Sequence, residues 1–192
     1  LKTGDTALYL ADREYTPSEL SQIKYNVWPP SKQNERVFPT LTKFLDPERK
    51  DINDQPGSRD LLFSRLAETY LTAAEALLMS GHPDEAADYI NVVRRRAAVT
   101  GSTPAETEAN RQAMEIISAE FDIDFIVDER ARELLGEGTR WLDLTRTGKL
   151  VDRVKKYNPV AAAKIQPFHV LRAIPQEQID RTSGEFKQND GY

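Results

Sequence analysis

The run from Arg65 to Ala97, RLAETYLTAAEALLMSGHPDEAADYINVVRRRA, decides the fold. Leu66, Tyr70, Ala73 and Leu77, with Leu62 just upstream, recur at steps of three and four, the spacing of one stripe on an α-helix. The segment Ala73-Ala74-Glu75-Ala76 has high helix propensity. Gly81 stands where a left-handed C-cap is least strained, and Pro83, Asp84 and Glu85 suit the first turn of a new helix. The second stripe is Ala86, Ile90, Val93 and Ala97, and Arg94, Arg95 and Arg96 fall at the end of the helix that favours cations. Two helices joined so briefly pack antiparallel as an αα-hairpin, and the alanines at 67, 73, 74, 76, 86 and 87 let the axes come close.

Outward from this hairpin the pattern changes. Pro17, Pro29, Pro30, Pro39, Pro47 and Pro56 fall in the first 60 residues and exclude long helices there. Residues 1–58 therefore read as a proline-rich segment of loops and short strands, with Ala7-Leu8-Tyr9-Leu10 a strand fragment and 53–58 a turn-rich linker, packed against a helical part spanning 59–192. Further helices are expected from Pro104 to about Ser118 behind a Thr103 cap, from about Phe121 to Leu135, around Trp141, over 149–157, and for a turn at 161–163. Phe168 to Ile174 reads as extended, and the tail from Phe186 to Tyr192 as pinned by its two aromatics alone. The fold class is mostly α. The hairpin has the layout of a tetratricopeptide unit, and one such unit cannot close a core, so later helices or upstream sequence must cover it.

Composition narrows the function. In 192 residues, 31 acids against 26 basic residues leave a net charge of −5, with no global attraction to nucleic acid. Zero cysteine removes disulfides, thiolate metal sites and a cysteine nucleophile. No apolar run reaches the ~18 residues of a membrane helix. The chain opens at Leu1 without a basic or apolar leader, so a signal peptide or lipid anchor is expected upstream, if anywhere.

The densest charged segment is 128–146. Glu129 and Glu133 share a helix face and could be read as the carboxylate pair of a glycan-degrading enzyme. Against that, Arg130, Arg132, Arg140 and Arg146 interleave with the acids, neighbouring guanidiniums oppose the raised pKa of a catalytic acid, and adjacent turns of one helix do not flank a substrate. A salt-bridge lattice is the expectation, with no catalytic residue. Loss of Glu133 from a buried pair should then cost about 3–5 kcal/mol. His82 and His169 are too isolated for a zinc site and read as a helix-start residue and a satisfied, partly buried one. The stretch 51–57 has acidic spacing but lacks an EF-hand's twelfth-position glutamate, leaving at most a looser calcium site; no metal or cofactor is expected. Arg94 to Arg96 could grip phosphate, but reads as a dipole-complementing, salt-bridging patch. The ligand-binding candidates are Tyr25 and Trp28, with Tyr15 nearby, since flat aromatic faces on loops suit sugar rings; alternatively Trp28 is a packing plug beside Pro29-Pro30.

A series of blocks resembles the SusD/RagB family: Phe38-Pro39-Thr40-Leu41-Thr42-Lys43-Phe44, residues 65–76, residues 84–97, Asp128-Glu129-Arg130-Ala131-Arg132-Glu133-Leu134, residues 136–148 around Arg140-Trp141-Leu142-Asp143-Leu144, and Ala173-Ile174-Pro175 with the tail 188–192. Together they cover roughly 38–192. The tail departs from the family, which more often has proline before the glycine. The resemblance implies the C-terminal portion of a non-catalytic, outer-membrane, surface-exposed lipoprotein that binds a glycan or similar nutrient. It also implies a SusC-like TonB-dependent transporter as partner, and contact with the membrane only through an anchor upstream. It carries over no binding residue. The rival readings are a generic tetratricopeptide interaction module, which predicts several similar hairpins, and the enzyme using Glu129 and Glu133.

Overall fold

The computed structural model describes every residue except 1, 3, 35, 52, 54–56, 61 and 121, and the side chain of residue 120. The chain forms two compact units, Leu1–Leu61 and Leu62–Tyr192.

The first unit is built on a small parallel ribbon. Strand β1 (Leu8–Leu10) pairs with β2 (Asn26–Trp28), setting Tyr9 beside Val27 and Leu10 beside Trp28. A parallel pair needs a crossover, supplied here by the short helix α1 (Pro17–Ser21). Its start is a capping box: the Glu19 amide donates to Thr16 Oγ1 and the Thr16 amide to Glu19 Oε2 at 2.7 Å. That backbone bond, with Arg13 and the Thr16 hydroxyl, pulls the Glu19 carboxyl down to about 2. Farther on, Asp46 accepts from the amides of Ser58 and Glu48, which ties residue 58 back to 46 and holds the acid below the usual carboxylate range. Asp54 to Pro56, part of the expected linker and of the loose calcium motif, lie outside the described residues, as does Ile52.

The second unit is mostly α. Helices α2 (Leu66–Met79) and α3 (Pro83–Ala97) form the expected hairpin, with Gly81 left-handed at φ +85° between them. Then come α4 (Pro104–Ala113), α5 (Ile123–Glu133), α6 (Arg140–Arg146), α7 (Leu150–Tyr157), α8 (Pro159–Ala162) and α9 (Gln176–Arg181). One cluster, Leu71, Ala74, Ala86, Ala87, Ile90 and Val93 with Ile116, Ile126 and Leu134, joins the hairpin to α5. A second, Val127, Leu144 and Leu150, joins α5 to α6 and α7. Later helices thus close the core that a single hairpin leaves open.

Several local expectations are corrected. Helix α2 begins at Leu66, so Leu62 is not on it. Its most buried apolar residues are Leu71 and Ala74, flanked by half-buried Ala67, Tyr70, Leu77 and Leu78, so the inward face is centred one position round from the expected stripe but keeps Tyr70 and Leu77 at its margin. The helix is apolar on two faces, and spacing alone cannot tell which one faces inward. In α3, Ala87 is buried and Ala97 exposed. Helix α4 stops at Ala113, five residues early, and its Met114 carbonyl accepts instead from Arg94 Nε at 2.6 Å. Phe121, the expected start of the fourth long helix, lies outside the described residues; the helix itself starts at Ile123 behind an Asp122 cap and ends at Glu133. Residues Pro167–Val170 coil into a 3₁₀ turn where an extended segment was expected. The tail is held by more than aromatics: Gln188 exchanges hydrogen bonds with the Ile174 backbone, and Asn189 donates to the Arg172 carbonyl at 2.7 Å.

Candidate functional site

Three places in the molecule concentrate chemistry. The first is the charged segment of α5 and α6. Glu129 is buried and accepts from Arg94 at 2.8 Å and Arg132 at 2.6 Å. Glu133 accepts from Arg65 and Arg96, each at 2.6 Å, and Arg65 reaches on to Glu137. Burial pulls the Arg65 guanidinium down, but its hydrogen bonds to Glu133 and Glu137 outweigh that and raise its pKa overall. Arg130 Nε lies 2.8 Å from Asp143 Oδ1, a pair in which both side chains are under 5% exposed. Arg146 holds Glu75 and Asp143 together. Arg153 binds Asp124 and Asp128, and Lys149 joins Asp124 at 2.8 Å.

Two of these pairs, Arg132 with Glu129 and Arg146 with Asp143, each lie along one helix; the others join separate elements. Arg65 ties the start of α2 to the end of α5, Arg94 and Arg96 tie α3 to α5, and Arg146 ties α6 to α2. Glu129 and Glu133, the pair that an enzyme would need, each face two arginines and project from adjacent turns of one helix. Arg95 completes the expected patch by pairing with Glu108 and Glu115, so Arg94 to Arg96 all have carboxylate partners. His82 occupies the N-cap position of α3 with no side-chain capping bond, and His169 Nδ1 accepts from the Gln166 amide. Among the described residues no group of three or more His, Asp or Glu is placed to hold a metal ion.

The second place is the aromatic set of the first unit. Tyr25 is exposed and meets Tyr9 edge-on, ring centres 6.5 Å apart. Trp28 is half-buried at the end of β2, next to buried Pro29, and its indole N–H donates to the Lys32 carbonyl at 2.6 Å. That bond fixes the ring plane. Tyr15 carries the Arg13 guanidinium on its face, 4.0 Å from the ring centre, so that face is covered. The fold brings Tyr9 and Tyr25 together; Trp28 is anchored separately.

The third place went unread in the sequence. In the helical unit a cavity of about 650 Å³ opens between α6, α7 and α8, lined by Arg140, Trp141, Leu150, Tyr157, Asn158 and Ile165 among others. Arg172 stacks over Trp141 at 5.3 Å, and Arg153 and Lys156 lie over Tyr157. The sequence signals were Arg140-Trp141, read as part of the salt-bridge lattice, and Tyr157, read as the end of the helix over 149–157. A smaller groove of about 350 Å³ runs between α2 and α3, along Leu66, Tyr70, Ala73, Tyr89 and Val92.

Comparison with known proteins places these features. A family model described as the SusD family matches residues 10–192. The SusD-like protein P25 of Formosa agariphila is 32% identical over 74% of this chain and 26% of its own length. The SusD-like protein P38 of the same organism is 33% identical over 59% of this chain and 22% of its own. The starch-binding protein SusD of Bacteroides thetaiotaomicron is 30% identical over 69% of this chain and 22% of its own. The chain therefore spans about a quarter of the length of these relatives.

Proposed function

Because the chain belongs to the SusD family, we propose that it takes part in non-catalytic capture of an oligosaccharide or similar nutrient at the bacterial cell surface. In this reading it works at the outer membrane and passes its ligand to a SusC-like TonB-dependent transporter. One observation on the molecule carries the non-catalytic part: Glu129 and Glu133 are each held by two guanidiniums and lock helices together. A glycosidase needs one protonated carboxyl and a second acid across the bond, and such pairing opposes both. Support for a sugar ligand comes from the relative named starch-binding and from the exposed aromatic faces of the first unit.

Calorimetric titration with maltoheptaose, paired with a reducing-end assay, tests the reading. Saturable binding without new reducing ends is expected. Trp28→Ala or Tyr25→Ala should weaken binding about tenfold, the loss of one stacked ring, while Trp28→Phe retains most of it. Release of reducing ends that vanishes with Glu133→Gln would overturn it. Delivery is tested by affinity purification of the tagged chain from bacterial outer membranes, with a large β-barrel transporter as the expected partner and its absence as the contrary result.

A further inference from the structure

The helical unit distributes its arginines unevenly. Every arginine after residue 61 has a carboxylate within ion-pair distance among the described residues except Arg140 and Arg172. Arg172 is exposed and stacks on Trp141. Arg140 is half-buried, lines the 650 Å³ cavity, and has a backbone acceptor, the Val127 carbonyl at 2.6 Å from Nη1. The acids near enough to act on it are engaged elsewhere: Asp128 by Arg153, and Asp143 by Arg130 and Arg146. Burial, and then repulsion from Arg153, lowers the Arg140 pKa. A guanidinium keeps its charge under such a shift, so it stands partly desolvated and lacking a counter-ion.

The rest of the cavity wall describes what would supply one. Leu150, Val154 and Ile165 form an apolar floor. Trp141 and Tyr157 stand partly exposed with cations over them, Asn158 adds an amide, and the Asp128 carboxylate on the wall is neutralised by Arg153 beside it. Apolar walls with aromatic rings and a few polar groups are the usual make-up of a small-molecule pocket, and this volume lies within the usual range. We propose that this cavity binds an acidic sugar, with a ring against Trp141 or Tyr157 and its anionic group on Arg140. A planar carboxylate matches the guanidinium fork, and a sulfate ester offers the same charge. The sugar class rests on the glycan-capture reading above; the anion preference does not.

Titration of the full chain with tetragalacturonate, its methyl ester and a sulfated galactan tetrasaccharide tests this. At least one anionic ligand should bind tenfold or more tightly than the neutral ester. Tyr157→Ala and Arg140→Gln should each reduce that affinity about tenfold. Arg140→Lys, which keeps the charge but not the guanidinium fork, should retain part of it and serves as the readout if the glutamine variant does not fold. Whichever anion binds tighter identifies the group. Equal affinity for acid and ester, no binding of either anion, or affinity unmoved by Tyr157→Ala and Arg140→Lys would overturn the site. Maltoheptaose separates the two proposals: loss of its binding counts against glycan capture, whereas a flat anion response with intact maltoheptaose binding counts against this cavity alone.

Discussion

Asp143 is the most deeply buried acid of the charged lattice among the described residues. It is 2% exposed and pairs with Arg130, itself 4% exposed, and with Arg146. Asp143→Asn leaves a buried guanidinium short of its counter-charge, and should cost about 3–5 kcal/mol in urea unfolding. Glu133→Gln should cost less, about 1.5–3 kcal/mol. Of its two partners, Arg96 is largely solvated and Arg65 retains Glu137. Asp124 sets the acid side. Hydrogen bonds from Lys149, then Arg153, hold its carboxyl below the usual range. A depressed carboxylate contributes stability that is present above its unfolded pKa of about 3.9 and lost as pH falls through the folded value. The difference in Tm between wild type and Asp124→Asn should therefore be clear at neutral pH and vanish in strong acid. The sequence made the pairing of these charges legible, since acids and arginines alternate from Asp128 to Arg146. It did not make the partners legible, because Arg65 and Glu133 meet across 68 positions that only the folded chain brings together.

Among the elements, the hairpin was the most readable because its ends are marked chemically. Gly81 at φ +85° has open space where a Cβ would sit, so Gly81→Ala should cost about 1 kcal/mol through backbone strain alone, measured by thermal melting. Thr103, whose side chain accepts from the Glu106 amide, should lose a similar amount as Thr103→Ala. The inward face of α2 was less readable. Leu66, Tyr70, Ala73 and Leu77 fit the helical period as well as Ala67, Leu71, Ala74 and Leu78 do, and only the position of α3 and α5 centres the core on Leu71 and Ala74, with Tyr70 and Leu77 at its margin. Helix α4 shows the same override. Nothing between Ala113 and Ser118 forbids helix, yet Asn91 takes up the backbone of Ile116 with two hydrogen bonds of 2.9 Å and turns the chain inward.

At the scale of the whole molecule, two units carry different kinds of candidate. The first presents aromatics on a ribbon fixed by the Trp28 and Glu14 hydrogen bonds to residues 31 and 32. The second presents a cavity whose guanidinium lacks a carboxylate. The sequence pointed to the first through Tyr25 and Trp28 and missed the second, because Arg140, Tyr157 and Ile165 share no local pattern. The ordering of the lattice has a kinetic consequence. Hairpin contacts are local, whereas Arg65 to Glu133 and Arg146 to Glu75 close loops of about seventy residues, whose entropy must be lost before they can form. Such bridges are expected to join after the rate-limiting barrier. Weakening one of them, as in Glu75→Gln, should shorten the kinetic lifetime by raising the unfolding arm of the chevron, with the refolding arm nearly unmoved.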